Sequence, residues 1–304
     1  MTAGPDVSGI ATSLDVRMTA YDFERVHGRP PAAVHRAPIG LPLLDGLTIA
    51  LPWGVTVAAS ADGTTSLYSV NHQTDGVTSA TGPVPHWARE AVAVLNAHAD
   101  PAPGARLVIN RELPAETGLL TGAETAAATY LALRALHGPP AGPHPLTEHP
   151  AYRTSLQARE AHALLTAPGT TEHVPFDLAA CDLRILIVDL AARHSSPLPT
   201  PAGAAARAAA AVRASGPSAL GPLLTDAHAF GDPLPDLALR TALDAGALGG
   251  RKIGACIVAL APTLAVPDVR EALTTRLTPV LPRPPRVLTA LPAPSATAQN
   301  AIHF

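Results

Sequence analysis

Residues Glu112–Ala128 read ELPAETGLLTGAETAAA, a glycine-bearing loop that runs into an alanine-rich helix. A loop that cradles phosphate needs backbone N–H groups, small residues and hydroxyls, all converging on an anion at a helix N-terminus. Gly118, Thr121 and Gly122 supply those features. Glu116 adds a negative charge to the same loop and Leu120 an apolar side chain, and both oppose an anion. Two readings of Thr121-Gly122 follow. Either their backbone N–H groups hold an anion, or they are a helix start kept for packing.

Working outward, the chain alternates helices and short strands. Ala20–Val26 is expected to be a short helix after a flexible leader over residues 1–18. The β-branched run from Leu47 to Ala59 reads as two buried strands broken near Pro52 and Gly54. Short strands are expected at Ser66–Val70, Val77–Ala80 and Arg106–Asn110. Helices are expected from Pro85 to Ala99, Glu124 to Leu136 and Thr154 to Leu165. The proline-rich segment His137–Pro150 is a connector. Leu183–Leu190 is a core strand, with Cys256–Leu260 and Val287–Ala290 as further strands. Ala204–Arg213, Leu237–Ala245 and Pro267–Leu277 are helices, the second stopped by Gly246. The order lacks the regular βαβ spacing of a parallel doubly wound sheet, so the class is a two-domain α+β architecture.

Composition narrows the function. A chain of 304 residues with 47% hydrophobic and 15% charged content is globular, not disordered. Its 21 basic and 24 acidic residues give no basic surface for nucleic acid. Cys181 and Cys256 lack CxxC spacing, and the 13 histidines show no H-x-x-x-H or H-x-H pattern, so no disulfide framework or metal site is expected. His144, His149 and His194-Ser195 fall in proline-rich loops and read as solvated. No run is long and apolar enough for a membrane span and the N-terminus is not a signal peptide, which points to a cytoplasmic protein.

Several segments, in chain order, resemble the galactokinase branch of the GHMP small-molecule kinases. Glu112, Leu113, Pro114, Gly118, Leu119 and Ala123 fall on its phosphate-loop pattern, D/E-L-P-x-G-A-G-L-S-S-S-A-A. His27-Gly28-Arg29-Pro30-Pro31 and His35-Arg36-Ala37-Pro38 resemble the lead-in to its first motif, and His86-Trp87-Ala88 its W-A helix start. Gln157 and Glu160 match a Q-x-x-E helix. Residues Ala242 to Gly249 match A-L-x-A-G-A-L-G. The resemblance covers roughly residues 20–295. It implies a domain like the second domain of ribosomal protein S5 over residues 19–178 and a ferredoxin-like domain over 179–304.

Against that family pattern, the serine triplet is replaced by Leu120, Thr121 and Gly122, and the first-motif arginine and sugar-binding E-H-T-D are missing. Asp45 is the one acidic residue left there. The third motif is cut to Lys252-Ile253-Gly254-Ala255. Glu172 stands at the catalytic-base position, followed by His173 in place of glutamine. Glu172 is either a general base, paired with His173 as an acid/base couple, or a turn cap beside a surface histidine. Lys252 either reaches a phosphate or is a solvated turn lysine. Phosphoryl transfer rests on positioning and electrostatics, so the resemblance implies a degenerate galactokinase homologue, a pseudokinase acting as sensor or scaffold. The alternatives are a divergent ATP-dependent kinase, with Glu172 as base, Gly118, Thr121, Gly122 and Lys252 on the phosphates and ATP and Mg²⁺ as cofactors, or a repurposed ATP-independent enzyme. The expected partner is a small molecule in the interdomain cleft or another protein.

Overall fold

A computed structural model describes residues 7–98, 104–113, 117–140, 142–143, 146–167, 169–191 and 200–299. Pro114, Glu116, His144 and His194-Ser195 lie outside the described residues.

The first lobe is built on a large mixed sheet. Strands β1 (Ala33–Leu44) and β2 (Leu47–Ala61) form its central antiparallel hairpin, and β5 (Ala105–Arg111) pairs with the second half of β2. β3 (Ser66–Ser69) adds parallel to β5, and β4 (Thr78–Ser79) closes that edge. Alternation dictates the layers. Val57, Leu107 and Ile109 face one way, onto α2 (Arg89–His98), α3 (Ala123–His137) and α4 (Pro150–Gln157). Ala58 and Val108 face the other way, onto Val16, Ala20 and Phe23 of α1 (Val7–His27). The residues between 7 and 18, expected as leader, are therefore helical, and Val16 is fully buried there.

The run expected to be two strands is one, bent at Pro52-Trp53-Gly54. Its two halves have different partners. Val55–Ala61 pairs with β5, whereas Leu47 and Thr48 pair with β6 (His162–Ala167), which forms a hairpin with β7 (Thr170–Pro175). Pro38 and Pro42 of β1 lack an N–H, and the ladder to β2 shifts register beside each. Gly54 is obligatory in this crossing, because a Cβ there would lie 2.2 Å from the Ala37 carbonyl oxygen.

The helix expected over Thr154–Leu165 is a helix followed by a strand. The chain leaves α4 at Ala158 and turns through Ala161 in the left-handed region, at φ +56°. His162–Ala167 then finds backbone partners on two sides, and that ladder outweighs its helical composition.

The second lobe is a four-stranded antiparallel sheet in the order β11-β8-β10-β9, formed by β8 (Leu183–Asp189), β9 (Gly249–Ile253), β10 (Cys256–Pro262) and β11 (Arg286–Ala290). One face, with Leu186, Val188 and Ile257, is covered by α7 (Pro233–Asp244) and α8 (Val266–Leu277). The other face, with Ile185, Ile187 and Val258, joins α5 (Ala204–Ser215) and α6 (Leu220–Asp226) to Ile39, Leu41, Ile49 and Phe176 of the first lobe. The two lobes thus share one apolar core. The chain finally returns to the first sheet, where β12 (Thr297–Gln299) pairs antiparallel with β1. Residues 297–299 therefore depart from the expected assignment of 179–304 to the second domain alone.

Candidate functional site

Strand β5 ends at Arg111, and Glu112 follows at the start of the loop. Arg36 of β1 holds Glu112 through two hydrogen bonds, 2.5 Å to Oε1 and 2.8 Å to Oε2, and the Gly54 N–H donates to Glu112 Oε2 at 3.0 Å. The end of β5 is thereby pinned to the bend of β2.

The loop rests on the second lobe. The Cys256 thiol donates to the Thr117 carbonyl at 2.9 Å, and burial pushes that thiol pKa up to about 12. Gly118 adopts φ +65°, and its carbonyl oxygen would lie 2.8 Å from a Cβ at Gly254. Leu119 is buried in the shared core, and Leu120 packs against its edge. Gly122, at φ +88°, is the N-cap of α3.

The N-terminus of α3 is already capped by a carboxylate of the chain itself. Glu124 Oε1 accepts the Gly122 N–H at 3.0 Å, and the Thr121 hydroxyl donates to Glu124 Oε2 at 3.3 Å. Thr121 Oγ1 also accepts the Ala123 N–H at 3.3 Å. Glu124 has no solvent exposure. Burial raises its pKa, against which the backbone N–H groups of Glu124 and Gly122, the Arg111 charge and the Thr121 hydroxyl all act. Arg111 answers in kind: burial lowers its pKa and the Glu124 charge opposes the change. Glu124 went unrecognised in the sequence. The signal was the T-x-x-E spacing of Thr121 to Glu124, which is that of a capping box.

Beside this cap lies a cavity of about 400 Å³, lined by Asp75, Trp87, Glu90, Arg111, Thr121 and Glu124 among others. The Trp87 indole N–H donates to Asp75 Oδ2 at 2.8 Å, and the Trp87 carbonyl accepts from Arg111 Nη2 at 3.0 Å. Glu90 leans on the cap: a Cβ at Gly122 would lie 2.6 Å from Glu90 Cγ. The walls come from the first lobe alone, whereas the expected ligand position was the cleft between domains.

Of the expected site residues, Thr121 and Gly122 line this cavity, and Gly118 forms the loop floor against Gly254. Lys252 does not join them, because its ammonium is held by Asp232 at 2.6 Å. Glu172 is also elsewhere. It sits on β7, exposed, in a 2.5 Å ion pair with Arg213 of α5. His173 points away from it and bonds the Gln157 carbonyl at 2.7 Å, so the two do not form an acid/base couple. Asp45 is bonded to Thr200 in both directions, at 2.8 and 3.1 Å. No group of three or more His, Cys, Asp or Glu among the described residues is placed to hold a metal ion. No helix among them is long and apolar enough to cross a membrane.

Two packed lobes, a loop-to-α3 junction resting on the second lobe, and a strand that returns to the first sheet can be compared with solved structures. Galactokinase from Lactococcus lactis, solved with galactose, superposes with a TM-score of 0.76 at 17% identity, covering 93% of this chain and 99% of that one. The fold is that of the GHMP small-molecule kinases. Homoserine kinase from Cytophaga hutchinsonii ATCC 33406 gives 0.59 at 15% identity, over 88% of this chain and 97% of that one. Mevalonate diphosphate decarboxylase from Staphylococcus aureus gives 0.58 at 13% identity, over 88% and 98%. No family model matches the chain, and no curated relative matches it. At these identities the likeness concerns the fold, which one chemistry does not own.

Proposed function

We propose that this chain is a pseudokinase of galactokinase ancestry that binds a small molecule as a sensor or scaffold. The observation that carries the reading is the Glu124 carboxylate at the N-terminus of α3, bonded to the Gly122 N–H and the Thr121 hydroxyl. A nucleotide phosphate would need those same donors, which the Glu124 side chain already occupies. Of the expected site residues, Lys252 is engaged by Asp232 and Glu172 by Arg213, so neither stands ready as the cation for phosphate or the base for a sugar hydroxyl. Loss of one transition-state donor typically costs about 10²–10³ in rate, and here several are missing together. A coupled ADP-release assay with galactose and Mg²⁺-ATP tests the reading. The expected result is no turnover above background, and turnover of about 1–100 s⁻¹, usual for kinases, would overturn it.

A second reading, a divergent ATP-dependent kinase of a small metabolite, draws on the near-complete overlap with a galactokinase scaffold. It requires Mg²⁺-ATP to expel Glu124 from its cap. The same assay run with other sugars and amino alcohols separates the two readings. A third, ATP-independent chemistry on the same fold, has no residue set here that favours it.

A further inference from the structure

We propose that the outer face of α1 is a self-association surface, on which a second copy of this chain packs its own α1 antiparallel. The inference goes beyond the pseudokinase reading and does not depend on it. Helix α1 carries apolar residues on two opposite sides. Val16, Ala20 and Phe23 are buried against Ala58, Tyr68 and Val108 of the first sheet. Leu14, Met18 and Tyr21 face the other way and are 59%, 48% and 60% exposed. They follow one another at intervals of four and three residues, so they form one continuous stripe. Seven large apolar residues are strongly exposed among the described residues, and three of them stand on this stripe. A helix that is apolar all round is normally buried all round. Here the described residues cover one side only.

The charges beside the stripe name the partner. Arg17 and Glu24 are both exposed and, seven residues apart, flank it along the same edge. They stand about 10 Å apart along the helix, too far to meet within one copy. Neither forms an ion pair with another described residue. Across a twofold axis that sets Met18 against Tyr21 of the second copy, Arg17 meets Glu24 of the second copy and Glu24 meets its Arg17. The surface is thus complementary to itself, as a twofold interface requires. The other edge carries Asp15 and Asp22, which would oppose each other across the same axis. Asp15, however, is half-buried beside Arg36 and Glu112, and Asp22 is paired with Arg25 at 3.0 Å. A parallel pairing would instead bring Arg25 against its own copy. The stripe from Leu14 to Arg25 is only about 18 Å long, and it buries less than the roughly 800 Å² per partner of a standard interface. The dimer is therefore weak and reversible, forming at micromolar concentration.

Sedimentation equilibrium of the full chain, from about 1 µM to about 1 mM, reads the association. The average mass is expected to rise from monomer toward dimer across that range. Met18→Glu buries a charge in the paired stripe and is expected to weaken dimerisation at least about tenfold. Arg17→Glu sets like charges together at both contacts across the axis and is expected to weaken it as well. Combining Arg17→Glu with Glu24→Arg exchanges the two signs and is expected to restore the dimer. Circular dichroism confirms that each variant is folded. A chain that stays monomeric at the highest concentration overturns the inference, as does a dimer unmoved by folded Met18→Glu. Failure of the double exchange to restore an association lost in Arg17→Glu overturns it too, because the antiparallel pairing demands that rescue. ADP-release turnover has no bearing on any of these outcomes, so the inference and the pseudokinase reading fail separately.

Discussion

Arg36 and Glu112 face each other in a two-pronged ion pair, at 2.5 and 2.8 Å, with each side chain only 9% exposed. The pair ties the first strand to the residue that opens the loop, and the Arg36 guanidinium also donates to the Pro52 carbonyl at the bend of β2. Glu112, which the family resemblance places in the phosphate loop, is thus a structural anchor. Removing it leaves a buried guanidinium without its counter-charge. Glu112→Ala is expected to lower stability by about 3–5 kcal/mol in urea titration. A loss below about 1 kcal/mol would mean that water or another acceptor takes over the guanidinium.

Glu124→Ala frees the Gly122 N–H and the Thr121 hydroxyl that the carboxylate now occupies. The variant is expected to gain affinity for inorganic phosphate that the unmodified chain lacks. Thermal unfolding reads this directly, since a ligand at 100 times its dissociation constant adds about 2.7 kcal/mol. Equal response of both proteins to phosphate would show that the helix end is not where anions are excluded.

Buried Glu124 has its pKa raised above the ordinary 4.5, chiefly by desolvation. In the window above that value the folded chain therefore retains a proton that the unfolded chain has lost, and stability falls as pH rises through it. Glu124→Gln removes this dependence while keeping an oxygen for the Gly122 N–H. The stability of Glu124→Gln relative to the unmodified chain is expected to improve as the pH rises above the ordinary 4.5. A pH-independent difference between the two proteins would show that the carboxylate is ionised and fully compensated in the fold.

The Glu172–Arg213 pair is exposed at both ends, 59% and 39%, and such pairs contribute little. Glu172→Gln should change stability by less than about 1 kcal/mol. It should also leave binding in the Glu124 cavity untouched, because Glu172 does not line that cavity. Loss of ligand binding in this variant would place the site between the lobes after all.

The helix over Glu124–Leu136 and the strand over Arg106–Asn110 were legible because the first is dense in alanine and the second holds the short apolar run Leu107-Val108-Ile109. They appear as Ala123–His137 and Ala105–Arg111. Leu183–Leu190 was equally plain as a core strand, since nearly every residue of it is buried. The segment His162–Ala167 was not legible. Its composition tolerates a helix, and its strand state depends on partners more than 100 residues away on β2 as well as on the adjacent β7. Helix α6 (Leu220–Asp226) was missed for a related reason. It is short, and what secures it is contact with β9, where Gly249 would bring a Cβ to 1.8 Å from the Gly221 carbonyl oxygen.

By itself the sequence determined the elements with strong periodicity, the α+β class and the junction of loop and helix at Gly122, because propensity and spacing are local properties. Only the tertiary structure decided what that junction does. Thr121 and Glu124 carry the spacing of a helix cap in any context, but whether the cap is wet or sealed depends on Arg111, Glu90 and Trp87 arriving from other elements. Burial gives the Glu124 carboxylate its raised pKa and its hold on the helix end. It comes from packing across the whole lobe, which no window of sequence contains.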